Sequence, residues 1–327
     1  MAALADSPRA PTLVLSPDDG ALAAARAVVR FQLRSLARVH DEARAGEAEP
    51  VHQLRVATRR LRAALRLFGP LLTARFAETT HRELAWLAQH IGAVRDLDVL
   101  LDAVRTRAAR LDPELRKALG PVGVTIHDQR AAALAELTTA LDSARGRRLV
   151  QRLNAFADSP GRRRRDERLG TVAARLVAPL ARAVSRAGRK LSPDVPPADF
   201  HRLRVRVKRL RYALEMLRGL GGKPVRRLLA RLEDLQDVLG EGQDAVTQVA
   251  WLHAYAARPE SPPASLLPVG ALIQALARRG EKRRRRALKA WRRLDEDALV
   301  EVALADVRQA RQVAAQPAVA APEATAS

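Results

Sequence analysis

One stretch constrains the fold more than any other, residues 51–68, with the sequence VHQLRVATRRLRAALRLF. On a helix that turns about 100° per residue, Leu54, Leu61 and Leu65 fall on one side as an apolar stripe. A cationic row without any acidic residue lies beside this stripe, and its members are His52, Arg55, Arg59, Arg62 and Arg66. Neighbours three or four residues apart meet on a helix surface, so these groups repel one another. The stretch therefore predicts an amphipathic helix whose charge is compensated by something outside it.

The same pattern returns at residues 200–217, FHRLRVRVKRLRYALEML, 149 residues further along the chain. The cationic counterparts in this second copy are His201, Arg204, Lys208 and Arg211. The fifth position differs, because Glu215 stands where the first copy has Arg66. A long pattern that recurs once in a chain of 327 residues predicts two tandem halves.

The composition favours an all-α protein with an anionic partner. The formal net charge is +22, and only six of the 58 basic residues are lysine. Arginine presents a planar fork that matches phosphate oxygens. Alanine, leucine and arginine dominate, and these residues form helices readily, whereas no stretch shows the alternation of a strand.

Several classes of function are disfavoured by the same composition. The chain has no cysteine, which excludes disulfides, thiolate metal sites and thiol catalysis. It shows neither a signal peptide nor an apolar run long enough to span a membrane, so we expect a cytoplasmic protein without a membrane partner. Aromatic residues make up 3% of the chain, too few for a surface that stacks single-stranded bases.

Changes in composition along the chain predict its organisation. We expect a mobile leader at residues 1–15, a first helical half at 16–157, a basic linker at 158–168, a second helical half at 169–312, and a disordered Ala/Pro-rich tail at 313–327.

Local signals predict where individual helices begin and end. Ser16 is expected to cap a first helix from residue 17, and Thr80 with Glu83 forms a possible capping box. Gly92 predicts a break in the helix that follows. Asp199 is expected to cap the second copy of the motif.

Two further basic helix faces are candidates for anion binding. Arg30 and Arg34 lie on one side of the predicted first helix, although acidic residues nearby would also fit an ordinary mixed surface. The other face lies on a strongly basic helix near the C-terminus and could equally be a solvated surface. Its members are Arg278, Lys282, Arg285 and Lys289.

Metal binding and catalysis have little support in the sequence. Neither His52 nor His201 has an acidic residue one helical turn further on, and a divalent cation would be repelled by the surrounding arginines. No phosphate-cradling glycine loop and no catalytic signature is present, so we expect no catalytic residue, no metal ligand and no cofactor. We interpret Asp96 and Asp244 as structural partners of the arginines in the two motif copies.

Four segments in order carry a family resemblance: VHQLRVATRRLRAALRLF, IGAVRDLDVLL, FHRLRVRVKRLRYALEML and LQDVLGEGQDA. They resemble the signature segments of the CHAD domain, the conserved histidine α-helical domain, across roughly residues 17–300. The resemblance implies two pseudo-symmetric, four-helix-type bundles that enclose a basic cavity or channel. It also implies binding of inorganic polyphosphate and association with polyphosphate granules. The residues that it implicates are His52, Arg55, Arg59, Arg62, His201, Arg204, Lys208 and Arg211.

Many CHAD proteins are fused to a triphosphate-tunnel (CYTH) domain with an ExExK signature, and this sequence contains no such signature. We therefore expect a stand-alone, non-enzymatic protein that binds polyphosphate through arginine-rich helix faces and is targeted to polyphosphate granules. The alternatives are a nucleic-acid-binding protein, which the net charge permits, and a phosphohydrolase or metal-binding protein. Weak, non-specific binding of nucleic acid is expected to accompany polyphosphate binding, and the sequence leaves the oligomeric state open.

Overall fold

The computed structural model describes residues 13–160 and 166–315, which are helical apart from turns and one β-bridge between Gly20 and Arg168. The all-α class is therefore confirmed. None of the helices in these two ranges combines the length and the apolar character that a membrane span requires. The helices are α1 (Ala21–Arg44), α2 (Ala48–Leu67), α3 (Ala74–Ala108), α4 (Pro113–Ala118), α5 (Gly120–Asp142), α6 (Ala144–Asp158), α7 (Leu169–Gly188), α8 (Pro197–Met216), α9 (Lys223–Ala256), α10 (Pro263–Glu296) and α11 (Leu299–Ala315).

The apolar stripes of the two motif copies pack into different parts of the interior. Leu61 of α2 is fully buried in a cluster that α1, α3, α5 and α6 complete. Leu210 of α8 is fully buried in a larger cluster with α7, α9, α10 and α11. Helix α1 contributes to both, since Val28 belongs to the larger cluster and Val29 to the smaller one. The two copies therefore share an interior.

A third apolar cluster joins the far ends of the longest helices. Leu100 of α3 and Ile126 of α5 pack there with Leu252 of α9 and Leu272 of α10. Apolar burial of this kind stabilises by about 25 cal/mol per Å² removed from water. Helices α3 and α9 are thereby tied together beside the paired helices α2 and α8.

The start of α1 differs from the sequence prediction. The helix begins at Ala21 rather than at residue 17, and Ser16 does not cap it. The carboxylate of Asp166 caps it instead, because it accepts hydrogen bonds from the backbone N–H groups of Leu22 (2.8 Å) and Ala23 (3.0 Å). This cap comes from a residue about 145 positions away, which local sequence signals do not reveal.

Three other predicted helix boundaries are wrong. Helix α3 begins at Ala74, where Thr73 accepts a hydrogen bond from the Phe76 N–H, so Thr80 lies buried inside the helix and forms no capping box. The helix also continues through Gly92 without a break. Helix α8 begins at Pro197, which places Asp199 in its first turn rather than at its cap.

The predicted segments between and around the halves are partly structured. Leu15, assigned to the leader, is buried in the larger apolar cluster. Asp158, assigned to the linker, ends α6, and α11 extends to Ala315, inside the predicted tail. Residues 1–12, 161–165 and 316–327 lie outside the described residues.

Candidate anion-binding site

A pocket of about 410 Å³ lies between α2 and α8, with α3 and α9 as its other walls. Six of the residues singled out in the two motif copies line it together, three from each copy. They are His52, Arg55, Arg59, His201, Arg204 and Lys208. The helical period explains this arrangement, since residues three or four apart project from the same face of each helix.

Carboxylates of α3 and α9 contact the arginines that begin each cationic row. Arg55 Nη1 lies 3.1 Å from Asp96 Oδ1, and Arg204 Nη2 lies 4.0 Å from Asp244 Oδ1. These contacts are the ones predicted between the two acidic residues and the motif arginines. Each pair orients one guanidinium toward the pocket, and the longer distance at Arg204 leaves that group more weakly held.

Glycine faces the arginine in both copies. A Cβ atom added to Gly92 would lie 3.2 Å from Arg55 Nη1, and one added to Gly240 would lie 4.0 Å from Arg204 Nε. At Gly92 the approach is tight enough that any side chain would displace the guanidinium. The glycine that the sequence suggested as a helix break therefore makes room for a pocket arginine instead.

Several side-chain nitrogen atoms of the pocket are buried without a hydrogen-bond partner among the described residues. Among the described residues, the Nε atoms of Arg59 and Arg204 and the Nδ1 atom of His52 are buried and have no hydrogen-bond partner. A buried, unsatisfied polar atom costs about 1–3 kcal/mol, so an arrangement with three of them requires an explanation. An anion in the pocket would supply acceptors for the two guanidinium groups.

The lowered pKa of Lys208 also indicates uncompensated positive charge in the pocket. Burial, followed by the charges of Arg204, Arg59 and Arg55, lowers the pKa of Lys208 to about 7, and Asp244 offsets only part of this. Burial is also the main cause that lowers the pKa values of Arg59 and Arg204. The pocket thus holds cations that are poorly solvated and poorly compensated.

The two motif histidines lie in different surroundings. Burial and then Arg95 lower the pKa of His52, so its imidazole is neutral at pH 7. The Nδ1 atom of His201 lies 2.9 Å from Gln243 Oε1. No group of three or more His, Asp and Glu side chains suited to a metal ion occurs in the described parts of the chain.

The remaining residues of the two cationic rows lie outside the pocket. Arg62 and Arg66 occupy the next turns of α2, near Arg209 of α8. Arg211 of α8 is instead held by carboxylates, with Nη1 3.0 Å from Glu215. The pocket therefore uses only the first three cationic positions of each copy.

The basic residues predicted on other helices are not brought to the pocket. Arg30 forms an ion pair with Asp158 (3.4 Å) and donates a hydrogen bond to the Ala157 carbonyl, which satisfies the C-terminus of α6. Arg34 is exposed. The face predicted on α10 is also exposed and lies away from the pocket, and its residues are Arg278, Lys282, Arg285 and Lys289.

Tyr212 is one of the residues at the site that the sequence did not predict. It is buried beside the pocket, and the guanidinium carbons of Arg59 and Arg211 each lie 5.1 Å from its ring centroid. A cation over an aromatic face is stabilised by the ring quadrupole. In the sequence, Tyr212 stands where the first copy has Ala63. This difference between the copies could be seen from the sequence, but the contact of Tyr212 with the two arginines could not.

The fold and this pocket define a class: an all-helical protein in which two copies of a basic helical motif face one another across a cation-lined space. The chain belongs to the CHAD family, because the sequence profile of the CHAD domain matches residues 27–253.

Known proteins and structures agree with this assignment. Two Mycobacterium tuberculosis proteins, Rv2226 and MT2285, are each 28% identical over 260 residues. The match covers 77% of this chain and 49% of each relative, so the chain spans about half the length of the curated relatives it matches.

Two solved structures share the fold. The crystal structure of the CHAD domain from the plant Ricinus communis has a TM-score of 0.70 and 26% identity, covering 88% of this chain and 97% of that one. PptA from Streptomyces chartreusis has a TM-score of 0.69 and 22% identity, covering 85% of this chain and 99% of that one.

Proposed function

We propose that the pocket between α2 and α8 binds inorganic polyphosphate, and that the protein acts by binding rather than by catalysis. The observation that carries the proposal is the pair of buried, unpartnered guanidinium Nε atoms at Arg59 and Arg204, one from each motif copy. Family membership supports the same ligand, as the resemblance of the four signature segments implies.

The mechanism is charge matching along a linear anion. Arginine forks grip non-bridging oxygens in a bidentate manner, and Lys208 adds a third cation between them. Counterions released from the polyanion contribute to the affinity, as they do in nucleic-acid binding, so the affinity falls with rising salt. No metal ion is needed for these contacts.

Titration of the full chain with long-chain polyphosphate at two salt concentrations tests the proposal. We expect tight binding at low salt, and a loss of about 100-fold for the double variant Arg59→Gln and Arg204→Gln, since each removes a charge-assisted contact. Arg182→Gln combined with Arg186→Gln removes an equal charge from exposed positions on α7 and serves as the control. Unchanged affinity in a folded double variant would place the site elsewhere.

Two further assays address the alternatives and the cellular role. Displacement of labelled polyphosphate by RNA or DNA at matched phosphate concentration would favour a nucleic-acid-binding protein. Release of orthophosphate from polyphosphate with added Mg²⁺ or Mn²⁺ would favour a phosphohydrolase. For the role itself, we propose targeting to polyphosphate granules in the cytoplasm, and a fluorescent fusion carrying the double variant should lose that localisation.

A further inference from the structure

A second group of basic residues lies beyond the pocket, where α2, α3 and α8 meet. It comprises Arg62 and Arg66 of α2, His81 of α3 and Arg209 of α8. The Nη2 atom of Arg66 lies 3.2 Å from His81 Nε2, and Arg209 is exposed. Sequence analysis had singled out the two residues of α2 but neither His81 nor Arg209.

No carboxylate compensates this group. Within the described residues, Arg62, Arg66, His81 and Arg209 take part in no ion pair. The Nε atom of Arg62 is buried and has no hydrogen-bond partner among them. Like charges held together without a counter-charge are unfavourable, so the arrangement suggests an external anion.

The corresponding position of the second motif copy shows the opposite arrangement. Arg211, the counterpart of Arg62, lies 3.0 Å from both Glu215 and Glu233 and donates a hydrogen bond to Gln236 (3.1 Å). Among the described residues, the protein therefore supplies carboxylates to Arg211 and none to Arg62. This contrast argues against a general excess of arginine as the cause of the uncompensated group.

We propose that Arg62, Arg66, His81 and Arg209 form a second phosphate-binding subsite, which holds a further segment of the polyphosphate chain whose first segment occupies the pocket. The proposal rests on the proposed function of that pocket. Arg59 of the pocket and Arg62 are three residues apart on α2, a rise of about 4.5 Å, and Arg66 lies about 6 Å beyond. A linear polyanion can therefore contact both groups along one helix.

The surroundings of His81 provide a probe for occupancy. Burial and then the charges of Arg66, Arg62 and Arg209 lower the pKa of His81. Burial, Arg209 and Arg62 likewise lower the pKa of Arg66 to about 10. A phosphate group bound among these residues reverses the electrostatic part of both effects, because a neighbouring anion favours the charged form.

The binding test compares ligand lengths in one variant. Arg209→Gln is suitable because Arg209 is exposed, so we expect the fold to tolerate the change. We expect it to weaken long-chain polyphosphate about tenfold and to weaken tripolyphosphate, whose three phosphates we assign to the pocket, by less than about twofold. The control variant Arg182→Gln should change neither affinity by more than about twofold.

The spectroscopic test follows the imidazole of His81 by NMR, with His81→Gln to assign its signals. Long-chain polyphosphate should raise the pKa of His81, whereas tripolyphosphate should not. Equal losses for both ligand lengths in Arg209→Gln, or a His81 pKa that long chains leave unchanged, would overturn the subsite while leaving the pocket proposal intact. A wild-type protein that binds no polyphosphate would instead refute the proposed function, and the subsite with it.

Discussion

At the scale of single residues, Lys208 shows most clearly how the neighbouring positive charges of the pocket affect one side chain. Burial and the charges of Arg204 on its own helix and of Arg59 and Arg55 on α2 lower its pKa to about 7, and Asp244 on α9 offsets only part of this shift. The amine is therefore partly neutral in the free protein near neutral pH. A bound polyanion favours the ammonium form, so binding is coupled to uptake of a proton.

This coupling predicts a pH dependence of binding. Above about pH 7 the free protein loses the Lys208 proton while the complex keeps it, so the affinity for polyphosphate falls as the pH rises toward 9. Calorimetric titration in buffers of different ionisation enthalpy measures the proton uptake directly. Lys208→Gln should bind more weakly and lose most of this uptake. An identical uptake in that variant would assign the proton to another group.

Single residues also show what the sequence could and could not predict about the site. His52, Arg55 and Arg59 face the pocket because the 3.6-residue period fixes which side chains share a helix face. The period says nothing about which element lies opposite that face. Tyr212 and Arg209 could not be predicted as site residues for this reason, since their roles depend on contacts between α2 and α8.

At the scale of helices, α2 and α8 differ most in their last turns. Helix α2 ends its cationic row with Arg66, and α8 has Glu215 at the matching position. Glu215 and Glu233 of α9 both form ion pairs with Arg211. Because its charge is compensated, Arg211 is less available to an anionic ligand. The two helices therefore offer cationic rows of unequal length.

Removing the two carboxylates that pair with Arg211 should add this arginine to the cationic row of α8 that is available to a ligand. We predict that Glu215→Gln combined with Glu233→Gln frees Arg211 and raises the affinity for long-chain polyphosphate about threefold at low salt. Glu281→Gln combined with Glu296→Gln, at exposed positions on α10, measures the effect of the same change in net charge alone. A gain no larger than that of the control would indicate that Arg211 lies out of reach of the ligand.

Helix existence could be predicted from the sequence more reliably than helix boundaries. The apolar stripe of α2 identified that helix because Leu54, Leu61 and Leu65 recur at helical spacing. The start of α1 could not be predicted, since its cap is the side chain of Asp166 from another part of the chain. Similarly, Gly92 does not break α3, because tertiary packing of a long helix outweighs the low propensity of one glycine.

The basic face of α10 shows the same limitation. Leu276, Gly280 and Ala287 are buried and fix the side of α10 that faces the interior. The residues predicted to bind anions lie on other sides and remain exposed. Arg283 instead lies 2.7 Å from Glu241 of α9, an ion pair that no local pattern indicates. Charge periodicity alone therefore could not decide whether this face belongs to the site.

At the scale of the whole molecule, the net charge of +22 destabilises the folded state through repulsion between like charges. The cations that line the pocket contribute part of this repulsion. A ligand that binds only the folded chain stabilises it by about 2.7 kcal/mol when present at 100 times its dissociation constant. We predict that long-chain polyphosphate raises the melting temperature by several degrees at low salt, and by much less at high salt.

Differential scanning fluorimetry measures this shift, with the variant Arg59→Gln and Arg204→Gln as the comparison. The variant should show a smaller shift with ligand than the wild type, because two of the cations that contact the ligand are absent. A melting temperature that polyphosphate leaves unchanged in the wild type would contradict binding to the folded state.

The shared interior has a consequence for how such a chain can change over generations. Val28 and Val29 of α1 lie in different apolar clusters, so neither motif copy has a complete interior of its own. If a rearrangement of the gene transferred one copy without the other, the product would expose apolar surface and tend to aggregate. It would not simply be a protein that binds more weakly. The two copies must therefore be inherited together, and each substitution in one copy is selected against the background of the other.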